Sequence, residues 1–204
     1  MQKHLIATTN LGKLAQYCSQ LADLNLELVS LADLGLESIE ETGKTFEKNA
    51  LLKAQTYFKQ SGFPCIADDG GLEIDALGGK PGVYSRRWKT GDENVTDQEL
   101  VDFTIEQMRE VPLEKRSARF KMAMVFVDAA GTAHTAEAST EGYVPPEASS
   151  KILKGMPFDS VLFIPQYNKI RSELNEDEHE QINQRVLAIK KLKPIIKKSL
   201  AQEA

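Results

Sequence analysis

The sequence predicts an α/β protein built on a mixed β-sheet. In its first third, short apolar segments of strand length alternate with segments whose apolar residues recur every three or four positions, as on one face of a helix. Its middle contains a long apolar run, a turn and a second extended run, a pattern typical of a hairpin. Strand–helix alternation followed by a hairpin favours one sheet with both parallel and antiparallel strands.

Three strands and two helices are predicted in the first third of the chain. The strands are residues 4–8 (HLIAT), 26–31 (LELVSL) and 64–68 (PCIAD), and the helices are residues 13–23 and 45–60. The first helix is indicated by the spacing of Leu14, Tyr17 and Leu21, and the second should end at Ser61-Gly62.

The remaining chain predicts a hairpin, one more strand and two more helices. The hairpin pairs residues 118–129 with residues 132–141, the further strand is 161–165, and the helices are 97–109 and 176–198. Pro194 lies inside the last helix, where it can introduce a kink. In sheets of this kind, ligands usually bind beyond the carboxyl ends of the strands, which predicts that residues 8–13 and 68–71 lie at one edge.

Composition sets limits on the class of protein. A chain of 204 residues with 41% hydrophobic residues fits a single domain, which can have two lobes. Its net charge of −5 argues against nonspecific binding to nucleic acid or to an acidic membrane surface, and its apolar runs are too short to span a bilayer. Cys18 and Cys65 predict no disulfide framework, and the lack of a long apolar segment in the first ten residues predicts no secretory signal. We therefore expect a cytoplasmic protein with one domain over residues 1–204.

The segment TTNLGK follows the first predicted strand and leads into a helix. Free backbone N–H groups at a helix start bind anions. Side-chain donors and one positive charge are added by Thr8, Thr9, Asn10 and Lys13. The segment is not the GxxxxGK[ST] phosphate loop, because Ala7 stands where that pattern needs glycine. Taken alone, it is better explained as an ordinary turn with an asparagine cap.

Asp68 and Asp69 stand side by side at the end of the third predicted strand, directly before two glycines. Two carboxylates held close together repel each other unless a cation compensates. Mg²⁺ suits that role because it takes one or two carboxylates together with waters and phosphate oxygens. One aspartate could also deprotonate an attacking water. An Asp-Gly turn is the alternative, and the residues alone leave both interpretations open.

These features together indicate phosphate chemistry with Mg²⁺. Carboxylates would hold the metal, and the helix start and lysines would hold the phosphates. Because phosphoryl transfer needs mainly positioning and charge neutralisation, such groups would suffice. Glu40 and Glu41 lie on a polar loop, and by themselves they fit ordinary surface charge.

Several motifs resemble those of the inosine triphosphate pyrophosphatase family. The strongest are ATTNLGK at residues 7–13, EETGKTFEKNALLKA at residues 40–54 and ADDGGLEIDALGGKPGVYS at residues 67–85. Weaker matches continue to residue 189 in the same order, so the resemblance covers nearly the whole chain. It implies a long mixed sheet with two α/β lobes flanking a deep cleft, a homodimer, and Mg²⁺-dependent hydrolysis of a nucleoside triphosphate to the monophosphate and pyrophosphate.

The resemblance also implies roles for particular residues. Asp69 corresponds to the general base, and Glu41, Asp68 and Asp69 correspond to the metal-side carboxylates. Contacts to the substrate are implied for Thr8, Thr9, Asn10, Lys13, Lys53, Gly70, Met156, Phe158, Asp159, Lys169, His179, Gln184 and Arg185. Glu41, which by itself fits ordinary surface charge, is thus expected to be a ligand of the metal ion.

Departures from the family pattern cluster in the part that recognises the base. Met156 replaces the aromatic residue that stacks on the base, His179 replaces a lysine, and Gln184 replaces the histidine before Arg185. Gly70 also stands where the family usually has serine after the two aspartates. Base–aromatic stacking contributes roughly 1–3 kcal/mol in nucleic-acid sites, so the base preference of this protein could be shifted or relaxed.

Three functional hypotheses follow. The first is a Mg²⁺-dependent pyrophosphatase that acts on ITP, dITP and XTP and cleanses the nucleotide pool. The second is a related pyrophosphatase with a different or relaxed base preference. The third is a nucleotide-binding protein that has lost catalysis, against which Lys13, Glu41, Asp68 and Asp69 argue.

Overall fold

The computed structural model describes residues 2–89, 91 and 95–202, without the side chains of Arg86 and Gln202. Within these residues the chain forms eight strands and five α-helices. The strands are β1 (Lys3–Ile6), β2 (Glu27–Ser30), β3 (Cys65–Ile74), β4 (Lys80–Pro81), β5 (Ser117–Val127), β6 (Ala133–Tyr143), β7 (Phe163–Ile164) and β8 (Lys169–Ile170). The helices are α1 (Leu11–Gln20), α2 (Phe46–Ser61), α3 (Asp97–Gln107), α4 (Glu176–Ile182) and α5 (Gln184–Gln202).

The strands form one mixed sheet in the order β2-β1-β3-β5-β6-β7-β8, and β4 pairs with β3. Strand β1 runs parallel to both β2 and β3, as helical crossovers between them require. The pairs β3–β4, β6–β7 and β7–β8 are antiparallel. The predicted α/β class with a mixed sheet is therefore confirmed.

The chain divides into two compact units. The first unit comprises Met1–Asp69, Met122–Ala138 and Gln184–Ala204, and the second comprises Gly70–Lys121 and Ser139–Asn183. Each unit has a buried apolar core of its own.

Two layers of helices cover the sheet in the first unit. Ile6 and Ile66 belong to the core that contains Tyr17 of α1 and Ile189 of α5. Their neighbours along the strands, Leu5 and Cys65, belong instead to a cluster with Tyr57 of α2. This alternation follows from the geometry of a strand, in which successive side chains point to opposite faces. Residues of even number in the first part of β3 therefore face α1 and α5, and those of odd number face α2.

Local signals in the sequence define the ends of several helices. Thr45 caps α2 by accepting a hydrogen bond from the Lys48 N–H, and Thr96 forms a capping box with Glu99 at the start of α3. Gly62 ends α2 in the left-handed conformation with φ 72°, which a residue with a side chain rarely adopts. The predicted end at Ser61-Gly62 is thus confirmed.

The predicted end of the third strand is wrong in a way that affects the site. The third strand does not end at Asp68 but continues to Ile74, because Leu72 and Ile74 are buried in the core of the second unit. The turn interpretation of Asp68-Asp69 is therefore wrong.

The predicted helix 176–198 is two helices, α4 and α5, separated by Asn183 with extended backbone (φ −62°, ψ 113°). The Thr140 hydroxyl donates to the carbonyl of Ile182, which a continuous helix would pair with its own backbone. The predicted strand 161–165 is also shorter, since Val161 belongs to a 3₁₀ turn over Pro157–Val161. No helix among the described residues combines the length and the apolar character needed to cross a membrane.

The two cysteines should differ sharply in reactivity. Cys65 is buried on β3 and burial raises its pKa to about 12, whereas Cys18 is exposed on α1. The thiolate is the reactive form, so iodoacetamide at about pH 8 should alkylate Cys18 and leave Cys65 unmodified in the native protein. Mass spectrometry of tryptic peptides would measure both sites, with the urea-unfolded protein as the control in which both react. Equal labelling of the two sites in the native state would contradict the buried placement of Cys65.

Candidate active site

The loop after β1 is organised by its own side chains. Asn10 is the N-cap of α1, and its Oδ1 accepts a hydrogen bond from the Lys13 N–H at 3.0 Å. The Thr8 hydroxyl oxygen accepts from the Asn10 N–H at 3.1 Å, and Thr9 is exposed. The asparagine cap suggested by the sequence is confirmed. It fixes the direction of the first turn of α1 and therefore the position from which Lys13 extends.

Strand register places Asp68 beside this loop. Leu5 pairs with Cys65 and Ile6 with Ile66, and the Ala7 N–H donates to the Ile66 carbonyl at 2.8 Å. Asp68 lies two residues beyond Ile66 and is therefore past the carboxyl end of β1, although β3 itself continues. Of the predicted segments 8–13 and 68–71, Lys13 and Asp68 therefore lie together as predicted, whereas residues 69–71 continue along β3.

Asp68 is buried and accepts three hydrogen bonds. Its Oδ1 accepts from Lys13 Nζ at 2.9 Å, and its Oδ2 accepts from the Tyr17 hydroxyl at 2.7 Å and from Arg185 Nε at 3.1 Å. Arg185 is the second residue of α5, and its Nη1 donates to Gln16 Oε1 at 2.7 Å. We call Lys13, Tyr17, Asp68 and Arg185 the Asp68 cluster.

Charge compensation keeps Asp68 ionised. Burial alone would raise the pKa of its carboxyl, but the positive charges of Lys13 and Arg185 and the hydrogen bond from Tyr17 together hold that pKa well below its usual range. Burial would lower the pKa of Arg185, and the Asp68 carboxylate reverses this effect and raises it. Burial, followed by the negative charge of Asp68, raises the pKa of Tyr17, so its hydroxyl remains a donor.

Asp69 points to the other face of the sheet, toward α2. Its Oδ2 accepts a hydrogen bond from Asn49 Nδ2 at 2.8 Å. Asn49 is buried, and its Oδ1 accepts from the Gly43 N–H at 2.7 Å. This second bond fixes the amide orientation, because a flipped amide would place two donors together. Asn49 thus joins the Asp69 carboxylate to the loop that carries Glu41.

Glu41 contacts a lysine of α2. Lys53 Nζ lies 2.7 Å from Glu41 Oε1, and the Lys53 side chain is largely buried whereas that of Glu41 is partly exposed. Lys53 is therefore a partner of Glu41 in this structure. Its predicted contact with substrate phosphates stays a prediction.

Of the three carboxylates expected to bind a metal ion, only Glu41 and Asp69 have surroundings that suit this role. Asp68 and Asp69 lie on opposite faces of β3, and among the described residues no three His, Cys, Asp or Glu side chains form a group that suits a metal ion. Asp68 does not fit a metal ligand, because both its oxygens already accept bonds from charged donors. Glu41 and Asp69 offer the hard carboxylate oxygens that Mg²⁺ prefers, and one or two carboxylates suffice when phosphates supply other ligands.

In the second unit, the loop expected to contact the base exposes one large side chain. Met156 is 55% exposed, whereas Phe158 is buried in the core and lies 6.2 Å from Trp88 between ring centroids. The Gly155 N–H donates to Asp97 Oδ2 at 2.6 Å, which fixes the start of the loop. Phe158 is a core residue here and does not present its ring for stacking, contrary to the substrate contact expected for it.

Three other expected residues of the second unit, Asp159, Lys169 and His179, pair with neighbouring charged residues. The buried Arg171 guanidinium lies 3.3 Å from Asp159 Oδ1 (through Nε) and 2.9 Å from His179 Nε2 (through Nη2). Lys169 Nζ pairs with the Glu178 carboxylate at 2.7 Å. Gly70 continues β3 as a half-buried residue. Asp159, Lys169 and His179 thus have protein partners, and their predicted substrate contacts stay predictions, as does that of Gln184, the first residue of α5.

A cavity of about 830 Å³ lies elsewhere in the second unit, lined by residues that include Lys80, Tyr84, Trp88 and Phe103. None of the predicted site residues lines it. The chemical groups of the Asp68 cluster and of Asp69, rather than this cavity, therefore define the candidate site.

Tyr17 and Asn49 support the two aspartates, and neither is a candidate from the sequence alone. Tyr17 was assigned to the apolar face of its helix, where its hydroxyl gave no signal. Asn49 lies inside the EETGKTFEKNALLKA motif, where it is a polar residue among the buried positions of α2, which also include Phe46, Ala50, Ala54 and Tyr57.

Comparison with known proteins gives consistent results. Residues 4–195 match the model of the Ham1 family. The dITP/XTP pyrophosphatases of Salmonella typhimurium (strain LT2) and Escherichia coli (strain K12) are 40% and 39% identical over 194 residues, covering 94% of this chain and 96% of each relative. The structure of a HAM1 protein from Coxiella burnetii superposes with a TM-score of 0.88 at 30% identity, covering 97% of this chain and 100% of that one.

Replacing Gly43 should disturb the hydrogen bonds that hold Asp69. A Cβ at this position would lie 2.4 Å from Asn49 Oδ1, so Gly43→Ala must displace the buried amide. We expect the free energy of unfolding to fall by about 1–3 kcal/mol, measured by urea denaturation. Lys44→Ala, at the exposed neighbouring position, is the matched control. A Gly43→Ala protein as stable as this control would contradict the Asn49 geometry.

The Asp68 carboxylate should contribute stability that depends on pH. Asp68→Asn leaves two cations without their counterion, so the free energy of unfolding should fall by about 3–5 kcal/mol near pH 7. The folded-state pKa lies below the unfolded-state value, so the wild type loses this contribution as the pH falls below about 4. The difference in the free energy of unfolding between wild type and variant should therefore become smaller as the pH falls. Urea denaturation of the metal-free protein at several pH values would measure it. The exposed Asp102→Asn is the control. A difference in the free energy of unfolding that stays constant down to about pH 3 would contradict the lowered pKa of Asp68.

Proposed function

The chain belongs to the Ham1 family, and we propose that it hydrolyses deaminated purine nucleoside triphosphates (ITP, dITP and XTP) to the monophosphate and pyrophosphate. This membership confirms the family resemblance identified from the motifs. The observation that carries the proposal is that one strand presents a carboxylate held by a buried amide, Asp69, next to a carboxylate that holds two cations, Asp68. Relatives that share about two fifths of its residues are named dITP/XTP pyrophosphatases.

Asp69 has the features of a general base. The hydrogen bond from Asn49 engages Oδ2 and orients the carboxylate, which lies in a partly accessible position. In the proposed step, a water oxygen forms a bond to the α-phosphorus and its proton passes to Asp69. The bridging oxygen between the α- and β-phosphorus atoms then leaves with pyrophosphate.

Positive charge for the triphosphate comes from the start of α1 and from the Asp68 cluster. Lys13 and Arg185 contribute two positive charges and Asp68 one negative charge, so the cluster is net positive and favours an anionic ligand. The N-terminal amides of α1, oriented by the Asn10 cap, add donors in the same loop. These groups position the substrate and neutralise its charge, which is what phosphoryl transfer requires.

We propose Glu41 and Asp69 as the protein ligands of Mg²⁺, with phosphate oxygens of the substrate completing its coordination. When bound, the ion would neutralise charge on the phosphates. Asp68 is left out of this ligand set, because Lys13, Tyr17 and Arg185 already engage both of its oxygens.

A relaxed base preference is the second candidate function, supported by the loop of the second unit. Phe158 is part of the core and Met156 is the large exposed side chain, so the described loop offers a thioether rather than an aromatic ring. A flexible methionine makes soft contacts that distinguish poorly between planar bases.

The family resemblance also supports a homodimer, a cytoplasmic location and a role in cleansing the nucleotide pool.

A panel of nucleotides scored for pyrophosphate release tests the proposal. With Mg²⁺ present, we expect release from ITP, dITP and XTP, and Asp69→Asn should lower kcat by about 10²–10⁴-fold because the general base is lost. Asp102→Asn, an exposed aspartate on α3, is the control that should retain full activity. Tight nucleotide binding without turnover in the wild type would contradict the proposed pyrophosphatase activity and would favour a nucleotide-binding protein.

The same panel decides between the two base preferences. Comparable kcat/KM values for ITP and for the four standard nucleoside triphosphates would support relaxed recognition. A clear preference for the deaminated purines over all four would exclude it.

A further inference from the structure

The two oxygens of Asp68 have different kinds of partner. Oδ2 accepts from Tyr17 and from Arg185, whereas Oδ1 accepts from Lys13. Tyr17 is 1% exposed, and the side chains of Asp68 and Arg185 are 4% and 14% exposed. The Lys13 side chain is 34% exposed. One oxygen is therefore held from inside the protein, and the other is held by a lysine that solvent reaches.

One helix supplies most of these contacts. Lys13, Gln16 and Tyr17 are spaced three and four residues apart on α1, so they share the face that packs toward β3 and α5. Lys13 and Tyr17 contact Asp68 directly, and Gln16 accepts from Arg185 at 2.7 Å. The same helix therefore positions both the carboxylate and the arginine that pairs with it.

We propose that Tyr17 is a positioning residue of the reaction, which together with Arg185 holds Asp68 as a fixed counterion so that Lys13 is presented to the anionic substrate. This inference rests on the proposed function of the site. Tyr17 itself touches no reacting atom and acts through Asp68.

The arrangement lets Lys13 change partners without leaving a buried charge uncompensated. When a phosphate oxygen approaches, the Lys13 ammonium can turn from Oδ1 toward it, and Asp68 still accepts two hydrogen bonds through Oδ2. Without the Tyr17 hydroxyl, Asp68 would keep only one bond on Oδ2 and would hold Lys13 more tightly. Breaking a buried ion pair with no replacement is costly. Tyr17 therefore lowers the cost of transferring Lys13 to the substrate.

Tyr17→Phe tests this role, because it removes the hydroxyl and keeps the ring in the core. We expect KM for dITP to rise about three- to tenfold while kcat changes by less than about twofold, since the lost interaction affects substrate binding more than the chemical step. Thr104→Val is the matched control, since it also removes a buried hydroxyl, in the second unit, where Thr104 donates to the Leu100 carbonyl. It should lower the melting temperature without changing KM.

A double-mutant cycle shows whether Tyr17 acts through Asp68. In an Asp68→Asn background, Tyr17→Phe should change KM by less than about twofold, because the charge that it holds is gone. Equal effects in both backgrounds would overturn the inference, as would a KM for Tyr17→Phe that equals that of the wild type.

A measurement independent of turnover separates failure of this inference from failure of the proposed function. In ¹⁵N-edited NMR spectra, the Arg185 Nε–H should exchange slowly with solvent in the wild type and faster in Tyr17→Phe, whether or not nucleotides are hydrolysed. If the wild type hydrolyses no nucleotide, the proposed function fails, whereas faster Arg185 exchange in Tyr17→Phe would still show that Tyr17 holds the Asp68–Arg185 pair in place. Unchanged exchange in Tyr17→Phe would overturn it.

Discussion

Successive side chains of a β-strand point to opposite faces, and this constraint separates the two adjacent aspartates of β3. Asp68 faces the layer of α1 and α5, where it meets Tyr17, Lys13 and Arg185. Asp69 faces α2, where it meets Asn49. Two like charges that are neighbours in sequence thus have separate hydrogen-bond partners. The repulsion that would make such a pair expensive is reduced, and each carboxylate can have its own function.

The partners explain why the two carboxylates differ. Asp68 has two cations and a phenol, so it is stable as a buried anion and keeps a net positive charge close to the loop after β1. Asp69 accepts a hydrogen bond from a neutral amide and is partly accessible, surroundings that suit the general base proposed for it. This difference in surroundings comes from the two helical layers and not from the residues themselves.

The second unit differs from the family pattern where its residues were expected to contact the base. Arg171, buried over the ring of Phe120 with its guanidinium carbon 4.6 Å from the ring centroid, lies within contact distance of Asp159 and His179. Phe158 is buried in the core of the second unit. Of the residues that depart from the family pattern, His179 is therefore held by an internal contact, whereas Met156 is exposed.

The sequence by itself determined the mixed α/β class, the end of α2 at Gly62, the asparagine cap before α1 and the candidate residues for phosphate chemistry, because periodicity and capping are local properties. Only the tertiary structure decided that β3 continues to Ile74, that Thr140 helps to end α4 at Ile182, and that Tyr17 and Asn49 support the aspartates. The partners of Asp68 come from α1 and α5, which are more than a hundred residues apart in the chain. No local pattern encodes such contacts, since burial and hydrogen-bond partners depend on which layers the fold brings together.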